Sequence, residues 1–500
     1  MATVQRSRNR FGELFEALSL SVEAGRHLHS RLYAELRQAI VEGRVEPRSR
    51  LPSSRDFAQR LGISRNTVNT ALNQLAAEGL VTSREGAGTF VADIAAAPDK
   101  GPRRVPDRPR EREESVFPAR RAKSLADVRA TLDGLRHRYE SSPKPFRIGI
   151  PAIDDFPMAP WRKAVAHAQR RLPVHALGDG DPAGLPRLRR AVMSYLRSSR
   201  GLRGEPEQLI ITAGSQQALD LVARVTADPG DGVLMEDPGY FGATGCFRGS
   251  GLRVRGLPVD GDGLLLTASV RRLRPRLIYC TPSSQMPLGV PMAHARRQAL
   301  LAFASEVGAW IIEDDYDSEY RYDARPLPPL FDLDPAGRVI YMGTFSKTMF
   351  PGLRIGFVLL PPALVEAVTA LKFLTTWNPP SLEQYALAEF IERGDFVRHV
   401  RRSRSLYKER AEALFEAGER WLPPTHRVIR PRSGLSTILT APAGEDHPQR
   451  IAHAEARGLE LSPQSMFAVE RPASPGYVLG FAAFDADTLW TAVRRLAESF

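Results

Sequence analysis

Cysteine is nearly absent from this chain: Cys246 and Cys280 are the two in 500 residues. Two cysteines do not make a disulfide framework, so packing has to supply the stability, and a reducing cytoplasm is the expected setting. No run of about 18 apolar residues occurs, so no membrane contact is expected. The stretch Met1 to Arg10 is polar and basic with no apolar segment behind it, which argues against a secretory signal. No internal repeat is evident, no metal site is expected, and no residue class dominates. With 43% hydrophobic and 25% charged residues, the composition is globular.

What the chain has in excess is positive charge. The net charge is +12, and more than half of it lies in residues 1–125, where 22 basic side chains outnumber 15 acidic ones. Such an excess favours a polyanionic partner through phosphate contact and counterion release; the alternative is a solubilising surface. Five hundred residues exceed one ordinary core, so two or more domains are expected. Residues 22–92 read as a compact helical unit with a short β end. Residues 93–144 read as a linker, in which Pro98, Pro102, Pro106, Pro109 and Pro118 recur amid Arg and Glu and hold the chain semi-extended. From 145 to 500 short apolar runs alternate with amphipathic stretches. Leu209–Ile211, Gly232–Met235, Leu277–Cys280, Trp310–Ile312 and Val339–Met342 read as buried strands of a mainly parallel α/β sheet. After about 380 a helix-forming, Arg-rich segment reads as a smaller α+β part.

In the first unit, Pro52 and Ser53 suit a helix start, Gly62 a stop, and Ser64 the cap of a second helix running toward Glu78. Helix, short glycine turn, helix is the helix-turn-helix pattern. Ala58, Leu61, Ile63, Val68, Ala71, Leu72 and Leu75 form its expected core. Arg65, Asn66, Thr67 and Asn69 lie at the start of the second helix and off that core, the end that reaches base edges in a major groove. Leu80–Val91 reads as a β-hairpin wing. The plain alternative is a helical protein-contact module.

In the larger part, Lys347 follows a predicted strand and precedes Pro351-Gly352. A lysine that forms a Schiff base must be neutral part of the time and shielded; an isolated Ser-Lys is more often surface. Arg354 offers a bidentate phosphate contact, with Thr344 and Ser346 as hydroxyl donors. Ile211–Ala218 leaves a strand and opens a helix, presenting N–H groups and the positive helix end to an anion. Tyr240 in Pro238-Gly239-Tyr240 suits stacking on a pyridine ring. Glu313-Asp314-Asp315-Tyr316-Asp317 follows a strand, where a buried carboxylate needs a partner; a solvated acidic loop is the alternative.

Two resemblances collect these signals. Residues 30–92 resemble the winged-helix head of GntR-type bacterial regulators, through Leu51-Pro52-Ser53-Ser54-Arg55, Ser64–Val68, Leu75, Glu78-Gly79-Leu80 and Gly88-Thr89-Phe90-Val91. Arg48, where glycine is usual after Glu46-Pro47, is the one departure, expected to add charge at little cost. Residues from about 145 to 497 resemble fold type I aminotransferases, which bind pyridoxal 5'-phosphate (PLP). The combination resembles the MocR/GabR subfamily of GntR-type regulators over nearly the whole chain. The resemblance implies that Lys347 is the Schiff-base lysine and that Asp314, with a one-residue ambiguity toward Asp315, pairs the pyridine nitrogen. It implies that Tyr316 holds the phenolic oxygen, that Tyr240 stacks on the ring, and that Ser215, Gln216, Thr344, Ser346 and Arg354 hold the phosphate. In the head it implies DNA contacts from Arg55, Ser64, Arg65, Asn66, Thr67, Asn69, Arg84 and Gly88. Expected partners are a double-stranded DNA operator, a small-molecule effector and a second copy in a head-to-tail homodimer.

Three positions depart from working aminotransferases and their relatives. Val478 stands where a substrate-carboxylate arginine is usual, and a hydrophobe cannot neutralise a carboxylate. The loop Thr281–Gly289 lacks the asparagine beside the ring oxygen and carries Ser284 where the subfamily often has histidine. Phe241-Gly242 replaces the arginine of GABA-responsive members. The expected effector is therefore PLP itself, an amine, or an aminosulfonate such as taurine. Arg430, Arg432 or Arg471 is open as a replacement contact. The alternative is an active PLP-dependent aminotransferase carrying a DNA-binding head.

Overall fold

Ser53 and Ser64 decide where two helices begin. In the computed structural model Ser53 accepts from the Asp56 amide, which closes a capping box, and Ser64 accepts from the Thr67 amide. Each satisfies a donor that the first helical turn would leave open. The structure describes residues 28–84, 87–93, 142–267, 270–322, 327–377, 380–445, 447–472 and 474–500. Residues 22–27, the linker prolines and Glu85-Gly86 of the expected wing turn lie outside them. The chain divides into two units, Met1–Val116 and Phe117–Phe500.

The first unit contains α1 (Leu28–Val41), α2 (Ser54–Leu61), α3 (Arg65–Ala77), β1 (Val81–Arg84) and β2 (Gly88–Val91). Gly62, in the left-handed region at φ +64, turns the chain between α2 and α3. β1 and β2 pair antiparallel. The core holds Leu61, Val68, Ala71, Leu72 and Leu75 as expected, while Ala58 and Ile63 are only partly buried. Phe57 is fully buried, as are Leu32 and Leu36 of α1, so α1 closes the core that α2 and α3 leave open. Arg37 of α1 reaches Glu78, just past α3, at 3.1 Å.

The second unit is built on an eight-stranded sheet ordered β3-β10-β9-β8-β7-β4-β5-β6. In chain order its elements are α4 (Met158–Arg171), α5 (Pro186–Arg200), β3 (Leu209–Thr212), α6 (Ser215–Thr226), β4 (Gly232–Asp237), α7 (Phe241–Gly249), β5 (Arg253–Asp260), β6 (Gly263–Leu264), β7 (Leu277–Cys280), α8 (His294–Val307), β8 (Trp310–Asp315), α9 (Leu330–Leu333), β9 (Val339–Thr344), β10 (Gly356–Leu359) and α10 (Pro362–Thr376). The pairs from β5 through β4, β7 and β8 to β9 are parallel, whereas β10 runs antiparallel to β9 and β3. All five strands expected from the sequence are present. β7, buried at all four positions, shows why: a strand covered on both faces reads as a continuous apolar run.

After α11 (Ser381–Glu392) and the long α12 (Asp395–Trp421), β11 (Ser436–Thr440), α13 (His447–Ala456), β12 (Ser462–Pro463), β13 (Gly476–Gly480) and α14 (Ala486–Ala497) follow. They form a three-stranded antiparallel sheet ordered β11-β13-β12 with α12 and α14 packed together. The segment Phe146–Ile148 is drawn into this part. The Gly480 amide donates to the Phe146 carbonyl at 2.9 Å, and Arg147 pairs with Glu460 at 2.6 Å.

Arg48 corrects one expectation. Its φ is +64, in the region where a Cβ costs about 1–2 kcal/mol, so this substitution for glycine is not cheap. Its ion pair with Asp93 is exposed on both sides and returns little. Arg48→Gly should therefore stabilise the head by about 1 kcal/mol, read as slower amide hydrogen exchange in α1 and α3. Unchanged or faster exchange would count against strain at this position.

Candidate functional site

Parallel strands β4, β7, β8 and β9 end on the same edge of the sheet, where open α/β folds bind ligands. Lys347, Asp314, Tyr316, Tyr240, Ser215 and Thr344 line one cavity there, with about 600 Å³ of space, part of it open to solvent. Gln216, Ser346 and Arg354 do not line it.

β8 delivers three consecutive carboxylates, and strand alternation sends neighbours to opposite faces. Glu313 accepts from the Leu330 and Phe331 amides at 2.9 and 3.0 Å and lies 4.0 Å from Arg297. Asp315 pairs with Arg200 at 2.9 Å and accepts from Ser318 and Tyr341. Asp314 lies on the other face. It accepts from Tyr279 at 2.7 Å through Oδ2, while its buried Oδ1 has no hydrogen-bond partner. Asp314 faces the cavity and Asp315 does not, which orders the one-residue ambiguity geometrically. Burial pushes the Asp314 carboxyl up to about 7, with Asp315 adding and Tyr279 and Lys347 opposing. None of these acids forms a solvated loop.

Lys347 donates from Nζ to the Gly149 carbonyl at 2.7 Å. Burial lowers its pKa, and Asp317 and Asp314 work against that shift. Gly149 has φ +77, and a Cβ there would come within 2.7 Å of Nζ, so glycine makes room for the amine. Tyr316 donates to the Ser284 carbonyl at 3.0 Å.

At the other end, α6 opens at Ser215 behind Gly214, which has φ +88. Its first-turn N–H groups have no intrahelical acceptors. Arg354 donates to the Ala213 carbonyl at 2.9 Å, and a Cβ on Gly214 would lie 3.2 Å from its guanidinium. The Gln216 side chain turns to the Gly242 carbonyl at 2.9 Å, and its backbone N–H lies at the helix start. Ser346 donates its backbone N–H to Thr344 Oγ1 at 3.1 Å.

The sequence reading missed Gly149, Tyr279, Thr281 and Asp317, which also line the cavity. It also missed Glu236, which accepts from Thr281 Oγ1 at 2.6 Å and is pushed up to about 7 by burial. Asp317 lies in the quoted acidic motif and was findable; Gly149 and Tyr279 carry no local signal. Arg430 pairs with Glu412 at 2.7 Å, and neither Arg432 nor Arg471 lines the cavity. Val478 packs with Ile438 and Phe467 in an apolar cluster.

In the head, Arg55, Arg65, Asn66, Asn69 and Arg84 are exposed. The Ser64 and Thr67 hydroxyls are 2.8 Å apart and engaged in the helix cap, and Thr67 is half-buried. Arg65 Nε donates to Ser54 at 3.2 Å, and Arg84 sits over the Phe90 ring. Gly88 has φ +106, and a Cβ there would lie 2.9 Å from Arg50 Nε, so Arg50 is a cation beside the wing that sequence reasoning missed.

Residues 28–91 match the gntR family of bacterial regulatory proteins, and 149–439 match aminotransferase class I and II. The chain is 37% identical to a probable rhizopine catabolism regulatory protein, MocR, of Rhizobium meliloti, over 97% of this chain and 96% of that one. The chain belongs to the MocR/GabR-type GntR regulators. It is also 31% identical to the pyridoxine biosynthesis transcriptional regulator PdxR of Corynebacterium glutamicum, over 94% of this chain and 95% of that one. A kynurenine aminotransferase of Pyrococcus horikoshii, solved with PMP, superposes with a TM-score of 0.70 at 30% identity, covering 77% of this chain and 97% of that one. As a member of the MocR/GabR type, the protein is a DNA-binding transcriptional regulator whose larger unit is a PLP domain.

The residues present fit PLP. A buried, unpartnered carboxylate oxygen on Asp314 suits a protonated ring nitrogen, a shielded amine on Lys347 suits an aldehyde, and Arg354 beside the start of α6 suits a phosphate. When bound, PLP supplies an aldehyde that reacts with amines.

Two outcomes follow. Removing a charge-assisted phosphate contact by Arg354→Ala should weaken PLP binding about 10- to 100-fold, measured by equilibrium dialysis; unchanged binding would place the phosphate elsewhere. An acid whose pKa rises on folding favours the fold below its ordinary value, and this is lost as pH rises through about 7 for Asp314. A cationic ring nitrogen offsets that loss. PLP should therefore raise the unfolding temperature more at pH 8 than at pH 6, and Asp314→Asn should shrink the difference. Equal increments in the parent chain would remove Asp314 from this role.

Proposed function

We propose that PLP held at Lys347 makes this regulator responsive to a small effector, which alters operator binding. The unpartnered Asp314 Oδ1 opposite a buried lysine carries this reading, because it asks for a cationic ring in the cavity. In it Asp314 pairs the ring nitrogen, Tyr316 holds the phenolic oxygen and Tyr240 stacks on the ring. Ser215, Thr344, Arg354 and the backbone of Gln216 and Ser346 hold the phosphate. The effector is PLP itself, an amine or an aminosulfonate. A ligand shifts a protein between two arrangements only by binding them unequally. The segment 145–149 offers a route for that shift, since it touches both the Lys347 amine and the C-terminal sheet.

The reading assigns residues 22–92 to the DNA-binding head, 93–144 to a linker and 145–500 to the effector domain. Arg55, Arg65, Asn66, Asn69 and Arg84, with the backbone at Gly88 and the cap at Ser64 and Thr67, face the operator. Two copies form a head-to-tail dimer in the cytoplasm.

Footprinting upstream of the protein's own gene, with and without PLP and candidate amines, tests the reading. An operator footprint that no PLP or amine alters would refute the sensing part. Arg65→Ala should reduce specific binding about 10-fold or more, with a smaller effect on unrelated DNA. Arg84→Ala should weaken binding to all sequences alike and flatten the salt dependence. If Arg65→Ala leaves the footprint intact, α3 is not the reading element.

A further inference from the structure

Asp317 and Val478 bear on what kind of amine the cavity accepts. An α-amino acid needs a cation for its carboxylate. Here Val478 lies in an apolar cluster with Ile438 and Phe467, against which Met286 of the cavity wall packs. Among its described lining residues there is no arginine, and Lys347 is the one cation. In the reading above Lys347 and Asp314 are both taken up by the cofactor, which leaves Asp317 over.

Asp317 is 2% exposed, lines the cavity, and has a buried Oδ1 without a hydrogen-bond partner. Glycine again makes the room: Gly434 has φ +76, and a Cβ there would come within 2.5 Å of Asp317 Oδ2. Burial pushes this carboxyl well above its usual range, Asp315 and Glu319 push the same way, and Lys347 opposes. Unpaired, this carboxyl therefore favours its neutral form; ionised, it is costly to leave without a partner and repels a ligand carboxylate or sulfonate. A ligand ammonium or guanidinium removes both penalties.

We propose that the effector carries two cationic nitrogens, as a diamine or an amine bearing a guanidinium. One nitrogen lies at the Lys347 end, and Asp317 holds the other. The apolar spacer lies against Met286 and Leu435. This rests on the PLP-dependent sensing reading and narrows its ligand class, setting aside aminosulfonates.

The test is calorimetric titration of the PLP-loaded full chain with 1,4-diaminobutane, butylamine and 4-aminobutanoate, PLP occupancy being measured in each preparation. The diamine should bind about tenfold or more tighter than butylamine, with 4-aminobutanoate weakest. Asp317→Asn should bring diamine and monoamine together, and Asp317→Glu, which keeps the charge, should keep their order. Equal affinities in the parent chain, preference for 4-aminobutanoate, or a diamine preference that survives Asp317→Asn would overturn the proposal. A chain that takes up no PLP removes the sensing reading and this inference together. A chain that loads PLP and changes its operator footprint with another amine, but not with diamines, removes this inference alone.

Discussion

The site depends on carboxylates carried into the interior at the end of β8. Burying an ion costs several kcal/mol unless it is paired, and the strand meets that cost differently on its two faces. On one face Glu313 is met by two amides and Arg297, and Asp315 by Arg200. These contacts tie β8 to α8, α9 and α5, with Asp315 Oδ1 and Arg200 Nε still lacking hydrogen-bond partners. On the other face Asp314 has only the Tyr279 hydroxyl and an open oxygen. Each acid on one side of the sheet thus has an arginine within 4.0 Å, whereas Asp314 on the other side has no ion pair among the described residues. Lys347 has the complementary problem, since burial weakens its hold on a proton while two carboxylates strengthen it. The same low-polarity pocket that raises one group lowers the other. Both become suited to a ligand that is a cation at one end and an electrophile at the other.

How much of this could be read from the sequence follows from how local each signal is. Ser53, Gly62 and Ser64 act within four residues, and the helix-turn-helix they delimit was legible. The five apolar strands were legible because a strand covered on both faces reads largely as an apolar run, even though β4 and β8 also bury acids at their ends. Strand alternation separates Asp314 from Asp315 once β8 is placed through Asp315, whereas the apolar run alone ends at Ile312. Other features needed the third dimension. Gly149 lies 198 residues from the lysine it admits, and Tyr279 lies 35 from the carboxylate it meets. Arg48 looked like a harmless extra charge until its φ was known. The direction of the Gln216 side chain, toward the Gly242 carbonyl, was not legible either.

The same geometry bears on how a pocket inside an α/β domain can affect anything outside it. Lys347 Nζ donates to the Gly149 carbonyl, and that donor is available only while the amine carries protons to give. Two residues earlier, Arg147 pairs with Glu460, and Phe146 accepts from the Gly480 amide in β13. The fit there is close: a Cβ on Gly480 would come within 2.0 Å of the Arg147 carbonyl. Five residues, 145–149, therefore touch the reactive amine at one end and the C-terminal sheet at the other, and they directly follow the stretch assigned as linker. Tightly packed contacts of this kind shift between alternatives rather than deforming gradually. Engaging the lysine amine changes what Gly149 accepts, and the nearest packed element that can respond is this segment. In the sensing reading proposed above, this segment is where occupancy of the pocket meets the start of the effector domain.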